Sequence, residues 1–202
     1  MNADIEVVLF DLGGVLVDLK PSPLPPEWLQ DHLQFGIAAW FGSETAQRFE
    51  RGEITGDEFA RQLKIDLGLK VSTAEILREF TQWPIGLCEG AHELLLELQK
   101  THRLAALTNT NALHWPRLLN EFRLSRYFGE IFASHQMALA KPDPRAFRHV
   151  VDRLKVPPER VIFFDDNLTN VNAARQLGIH GLQACSLDQV KNHLQAIGLL
   201  TD

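Results

Sequence analysis

Four apolar residues in an unbroken run, Val7-Val8-Leu9-Phe10, lead straight into a carboxylate and a pair of glycines, Asp11-Leu12-Gly13-Gly14. No polar residue alternates within the run. Such a strand must be covered on both faces, which is the condition of a parallel sheet packed between helices. The glycines permit a sharp turn directly after Asp11. Open α/β sheets hold their ligands at the carboxyl edge of the strands. Asp11 therefore stands where chemistry is expected, with turn capping as the plain alternative.

The same grammar returns later in the chain. Arg103-Leu104-Ala105-Ala106-Leu107 ends in Thr108-Asn109, Ile131-Phe132-Ala133-Ser134 reads as a third strand, and Val161-Ile162-Phe163-Phe164 ends in Asp165-Asp166. Gly181-Leu182-Gln183-Ala184 is a weaker fifth. Amphipathic helices are expected between them, over 90–100, 112–122, 144–154, 168–177 and 187–197, with Asp143 as an N-cap and Pro144 at the first helical position. Short strands alternating with helices predict an α/β fold, a Rossmann-like parallel sheet with right-handed crossovers.

Between the first and second strands the pattern changes. Lys20-Pro21-Ser22-Pro23-Leu24-Pro25-Pro26 can be neither helix nor central strand. From Glu27 to Gln82 the apolar residues fall at helical spacing, as in Trp28, Leu29, Leu33, Ile37 and Trp40, and then Phe59, Leu63 and Leu67. Ser72 with Glu75 fits a capping box. We expect a small all-helical cap of about four short helices and no strand, closed by Pro84 and Gly86. The predicted division is a core of 1–18 and 84–202 with a cap of 19–83 emerging beside Asp11.

A length of 202 residues suits one such core with a modest insertion. The net charge of −6 argues against nucleic acid or an anionic membrane as the main partner. Cys88 and Cys185 lie in no metal-ligand spacing and read as reduced thiols of a cytoplasmic protein. No run is apolar enough to span a membrane, and the first residues show no basic signal-peptide segment. Oligomeric state is open.

Parallel strands bring their carboxyl ends to one edge, so Asp11, Thr108, Lys141 and the Asp165-Asp166 pair can converge. Each is weak alone: a strand-end Thr forms turns, and a Lys before Pro142 is by default solvated. Two adjacent carboxylates repel unless a cation holds them, and hard oxygen donors suit Mg²⁺. A nucleophilic carboxylate, a divalent cation, a lysine and a hydroxyl donor together equip a site for phosphoryl transfer through an aspartyl-phosphate. The substrate class is then a small phosphate ester.

These four pieces, in this order, resemble the motifs of the haloacid dehalogenase (HAD) superfamily over essentially the whole chain. The matching segments are Asp11-Leu12-Gly13-Gly14-Val15-Leu16, Leu107-Thr108-Asn109, Lys141-Pro142-Asp143 and Asp165-Asp166. The resemblance implies that Asp11 attacks phosphorus. It implies that Asp11, the backbone carbonyl of Gly13 and Asp166 hold Mg²⁺, with Asp165 as second ligand or water-orienting residue. Thr108 and the amide of Asn109 would hold phosphoryl oxygens, and Lys141 would neutralise charge and steady Asp11. Segments such as Glu50-Arg51-Gly52-Glu53-Ile54 and Phe163-Phe164-Asp165-Asp166-Asn167 are similar to the bacterial α-glucose-1-phosphate phosphatase branch, near the epoxide-hydrolase N-terminal-domain phosphatases.

One position departs from the pattern. Phosphatase members usually carry a second Asp, as general acid and base, where this chain has Gly13. Such help is worth about two to four powers of ten in rate. A phosphatase whose leaving group needs little protonation, as in glucose 1-phosphate, is the first reading. A 2-haloacid dehalogenase-type hydrolase and a catalytically weak binding or regulatory protein are the alternatives. Asp18 could supply the missing acid or simply cap the hinge. Among cap residues, Trp28, His32, Trp40, Phe41 and Arg48 read mostly as packing or surface. Glu50 and Arg51 are the candidates to face substrate, with His114 and Trp115 as possible neighbours.

Overall fold

The computed structural model describes residues 5–29 and 42–200. Strand β1, Val7–Phe10, has all four residues buried. It forms the centre of a five-stranded sheet with β4 (Arg103–Thr108), β5 (Glu130–Ala133), β6 (Val161–Asp165) and β7 (His180–Gln183) in the order β5-β4-β1-β6-β7. Every pairing in it is parallel. Alternate residues of β1 serve opposite faces, as strand geometry requires. Val8 and Phe10 join one core cluster with α4 (Ala91–Leu98) and α8 (Leu187–Ala196). Val7 and Leu9 join a second with α6 (Pro144–Leu154) and α7 (Leu168–Gln176). Both the sheet and the expected cap of α6, Asp143 accepting from the N–H of Arg145, follow the sequence reading.

Register sets the edge. Phe10 pairs with Ala106 on one side and Phe164 on the other, so Asp11 leaves the sheet level with Asp165. The Asp11 N–H donates to the Phe164 carbonyl at 2.8 Å. Thr108, the last residue of β4, pairs with Ala133, which hands the chain to a one-turn helix, α5 (Ser134–Met137).

The insertion is carried on a two-stranded antiparallel ribbon of β2 (Val17–Leu19) and β3 (Pro84–Leu87). The sequence predicts only a closing turn at Pro84 and Gly86. The ribbon is too short, and β3 too rich in strand-breaking residues, to register as alternation. Between its strands lie α1 (Glu44–Glu50), α2 (Gly56–Asp66) and α3 (Thr73–Thr81). Capping boxes start α2 (Thr55 with Glu58) and α3 (Ser72 with Glu75). The three helices share a separate aromatic core, with Phe49 stacked on Phe59 at 4.5 Å and Phe59 tilted against Phe80 at 4.8 Å. The helix expected through Leu33, Ile37 and Trp40 lies largely outside the described residues; Pro26–Trp28 before it is a 3₁₀ turn.

The helix expected over 112–122 is also different. The chain turns at 112–114, is helical at 115–116 and then forms a π turn over Arg117–Glu121, with the Phe122 N–H donating to the Arg117 carbonyl at 2.9 Å. Pro116 has no N–H to return to Ala112, so the expected helix cannot form its first turn there. Among the described residues, no helix is long and apolar enough to cross a membrane.

Candidate active site

Asp11 is 9% exposed and its Oδ1 is held by two donors. These are the N–H of Leu12 at 2.7 Å and the Lys141 ammonium at 2.8 Å. Burial pushes the Asp11 carboxyl well up, with Lys141 opposing and the carboxylates of Asp165 and Asp166 adding to the rise. Lys141 is far from solvated. Its side chain is 1% exposed, and its ammonium also meets Asp165 Oδ2 at 2.6 Å. Burial alone would discharge it, but the two carboxylates outweigh burial and hold it charged.

Asp165, the end of β6, is fully enclosed. Its oxygens accept from Lys141, from the N–H of Asn167 at 2.8 Å and from Asn170 Nδ2 at 3.0 and 3.1 Å. Asp165 thus has most of its lone pairs committed to Lys141 and α7. Asp166 faces the turn after β1: a β-carbon on Gly14 would lie 2.8 Å from Asp166 Oδ2. Gly14 also has φ +75°, so glycine is required there on two counts. Burial and Asp165 together raise the Asp166 carboxyl.

Asp11, Asp165 and Asp166 each offer an oxygen within 4.8 Å of the others. Three carboxylates around one ammonium leave two negative charges uncompensated. A hard oxygen set with that charge fits a divalent cation such as Mg²⁺. Thr108, 3% exposed, ends β4, the strand paired with β1. Asn109 follows, with its side chain bonded to the backbone of Lys141 at 2.9 Å in both directions. Ser134 makes a similar double bond to the backbone of Thr110, at 2.9 Å each way.

The other expected residues make contacts of their own. Asp18 lies on β2, exposed, and accepts from Cys88 Sγ at 3.2 Å. Burial and Asp18 push the Cys88 thiol up to about 12, so it stays a donor; this pair belongs to the ribbon. His114 is not open to substrate. It is buried, its Nε2 donates to the Phe80 carbonyl at 2.8 Å, and its Nδ1 accepts from Asn111 Nδ2 at 3.1 Å. Trp115 meets the His135 ring edge-on at 5.5 Å. Glu50 is buried at the end of α1, and Arg51 is paired with Glu53 at 2.5 Å. The turn that carries them does press on the core: a β-carbon on Gly52 would come within 2.5 Å of the His135 carbonyl. His32, Trp40 and Phe41 lie outside the described residues. The sequence does not single out the side chains of Asn170 and Ser134. An Asn one turn into a helix, or a Ser ending an apolar run, carries no signal until the partner is known.

Comparison with known proteins is consistent with this geometry. The sequence model of a family described as haloacid dehalogenase-like hydrolase matches residues 5–178. A D-ribitol-5-phosphate phosphatase of Bacteroides thetaiotaomicron is 25% identical over 89% of this chain and 91% of its own. A sesquiterpene phosphatase of Aspergillus oryzae is 32% identical over 90% and 91%. Among solved structures, a HAD family enzyme of Bacteroides thetaiotaomicron in complex with magnesium and inorganic phosphate superposes with a TM-score of 0.73 at 27% identity, covering 89% of this chain and 93% of that one.

Proposed function

The chain belongs to the haloacid dehalogenase-like hydrolases, and from that premise we propose that it is a phosphoric monoester hydrolase of small phosphorylated metabolites, sugar phosphates foremost. The observation that carries this reading is the buried ammonium of Lys141 bridging Asp11 Oδ1 at 2.8 Å and Asp165 Oδ2 at 2.6 Å. An ammonium there opposes the rise that burial imposes on the Asp11 carboxyl and offsets negative charge as a phosphoryl group arrives. Asp11 attacks phosphorus, the bond from phosphorus to the leaving oxygen breaks, and the phosphoryl group is held on the carboxylate. Water then attacks phosphorus, returning Asp11 and releasing inorganic phosphate. The Thr108 hydroxyl and the Asn109 amide hold phosphoryl oxygens through this exchange.

Asp11, the Gly13 carbonyl and Asp166 would hold Mg²⁺, with Asp165 alongside. When bound, the ion would supply neutralisation of phosphoryl charge. The magnesium-bound neighbour supports this assignment. Glu50 and Arg51, in the cap of 19–83, are the proposed contacts to the leaving group.

Gly13 narrows the substrate. It brings no proton for the departing oxygen, and Leu19 Cδ1 sits 3.3 Å from where its β-carbon would be. A leaving group that departs easily as an anion suits such a site, and the anomeric oxygen of glucose 1-phosphate is one. The ribitol-phosphate relative supports a polyol-sized substrate. The sesquiterpene relative puts an apolar alcohol into the same test.

The test is a panel of phosphate esters with and without Mg²⁺, using Asp11→Asn as the blank. Metal-dependent phosphate release that Asp11→Asn abolishes, fastest with sugar phosphates, is the expected result. Halide release from 2-haloacids without metal would point to dehalogenation instead. No turnover on either set would leave a binding protein.

A further inference from the structure

We propose that the side chain of Asn109 is a positioning residue for Lys141, a role whose kinetic consequences rest on the phosphatase reading above. Lys141 lies in the loop between α5 and α6 and belongs to no strand. No ladder of hydrogen bonds registers it against the sheet that carries Asp11 and Asp165. Yet its ammonium must meet both carboxylates at once, at 2.8 and 2.6 Å, from a side chain that is 1% exposed.

One planar amide supplies the missing register. The Lys141 N–H donates to Asn109 Oδ1 at 2.9 Å, and Asn109 Nδ2 donates to the Lys141 carbonyl at 2.9 Å. Two bonds from one rigid group fix both the position and the rotation of the residue they hold; a single bond would leave it free to swing. Asn109 is itself fixed, because it directly follows Thr108, the last residue of β4. The path is therefore continuous. Pairing of Phe10 with Ala106 sets β4 against β1, Asn109 extends that register sideways, and Lys141 inherits it.

The burial of Lys141 makes this placement matter. An ammonium in a low-dielectric site is sustained by its carboxylate partners, and displacement weakens the attraction without returning it to water. Asn109 also ties two functions to one residue: its amide faces the anion, and its side chain holds the cation that neutralises it. A residue lacking the amide group, even if small and polar, would leave the backbone of Lys141 without this clamp, with the ammonium's own two contacts and the turn in which the Asp143 N–H donates to the Ala140 carbonyl at 3.0 Å still in place.

Asn109→Ala and Asn109→Asp, each alone and combined with Lys141→Met, test the role. Asn109→Asp keeps the acceptor for the Lys141 N–H and loses the donor to its carbonyl. Crystal structures should show the Lys141 ammonium shifted out of hydrogen-bond range of Asp11 in Asn109→Ala. With the best ester of the panel, Asn109→Ala should lower kcat by about 10²-fold, the order expected for misplacing a catalytic group by an ångström, while KM moves little. Asn109→Asp, which sets a carboxylate oxygen against the Lys141 carbonyl, should cost at least as much as Asn109→Ala. In the Lys141→Met background, Asn109→Ala should cost nothing further, because its partner in the reaction is already gone. An equal loss in both backgrounds, or a Lys141 that does not move, overturns the inference. If Asn109→Ala does not fold, Asn109→Asp carries the same measurements. If the native protein hydrolyses no ester, the phosphatase reading fails and the position of Lys141 in the variant structures decides this one alone.

Discussion

A β-carbon on Gly14 would collide with Asp166 Oδ2 at 2.8 Å, whereas one on Gly13 would meet only Leu19 Cδ1 at 3.3 Å. Gly13 has no left-handed backbone to protect, and its neighbour is the far end of a flexible side chain. The Gly13→Asp variant should therefore fold, with Leu19 giving way by a few tenths of an ångström. If protonation of the leaving oxygen limits the rate, the new carboxyl should raise turnover of alkyl phosphates more than that of sugar 1-phosphates. Equal losses on both would show that Leu19 holds the space closed. The two adjacent glycines look alike in the sequence, and their difference emerges only from the fold. Asp11, Lys141, Asp165 and Asp166 could be read in advance because each stands beside a strand end or a proline. The side chains of Asn109 and Asn170 could not, since their partners lie 32 and 5 residues away, on a loop and a neighbouring strand end.

The elements that carry the site are fixed to one another by side-chain-to-backbone bonds beyond the sheet ladder. Ser134, fully enclosed at the start of α5, accepts the Thr110 N–H and donates to the Thr110 carbonyl. The variant Ser134→Ala would leave both of these backbone groups unpaired in a place water does not reach. The expected loss is about 1–3 kcal/mol. It should appear as a lower urea midpoint with an unchanged slope. An unchanged midpoint would mean that the Thr110 loop finds other partners. The five strands of the sheet and most of the helices were legible because their apolar periods are long enough to count. The β2–β3 ribbon was not, with three and four residues and a proline among them. Nor was the π turn at Arg117–Glu121, because an apolar pattern does not distinguish a wider helical turn from an α-helix.

At the scale of the molecule, the presence of an inserted helical unit was visible in the change of pattern after Asp18, but how it seats on the core was not. Seating depends on pairs far apart in sequence, and His114 makes one of them. Its ring stacks on Phe80 of α3 at 4.5 Å, donates to the Phe80 carbonyl and accepts from Asn111 in the loop after β4. Only a neutral imidazole can do both, since the charged ring has two donors and no acceptor. Burial, with Arg117 adding and the Phe80 bond opposing, brings the His114 pKa down from 6.5 to about 4. The unfolded chain therefore takes up a proton at a higher pH than the folded one does. The contribution of His114 is fully present above pH 6.5 and is lost progressively as pH falls toward about 4. At roughly 1.4 kcal/mol per pH unit, the loss over that window is on the order of 3 kcal/mol. His114→Gln can keep a donor to Phe80 without titrating. The difference in urea stability between native and variant protein isolates this one group from all others that titrate. That difference should shrink steadily from pH 6.5 to pH 4, with the native protein losing its advantage. A difference independent of pH would mean that His114 takes up its proton in the folded state as readily as in the unfolded, and that the junction between cap and core tolerates the charge.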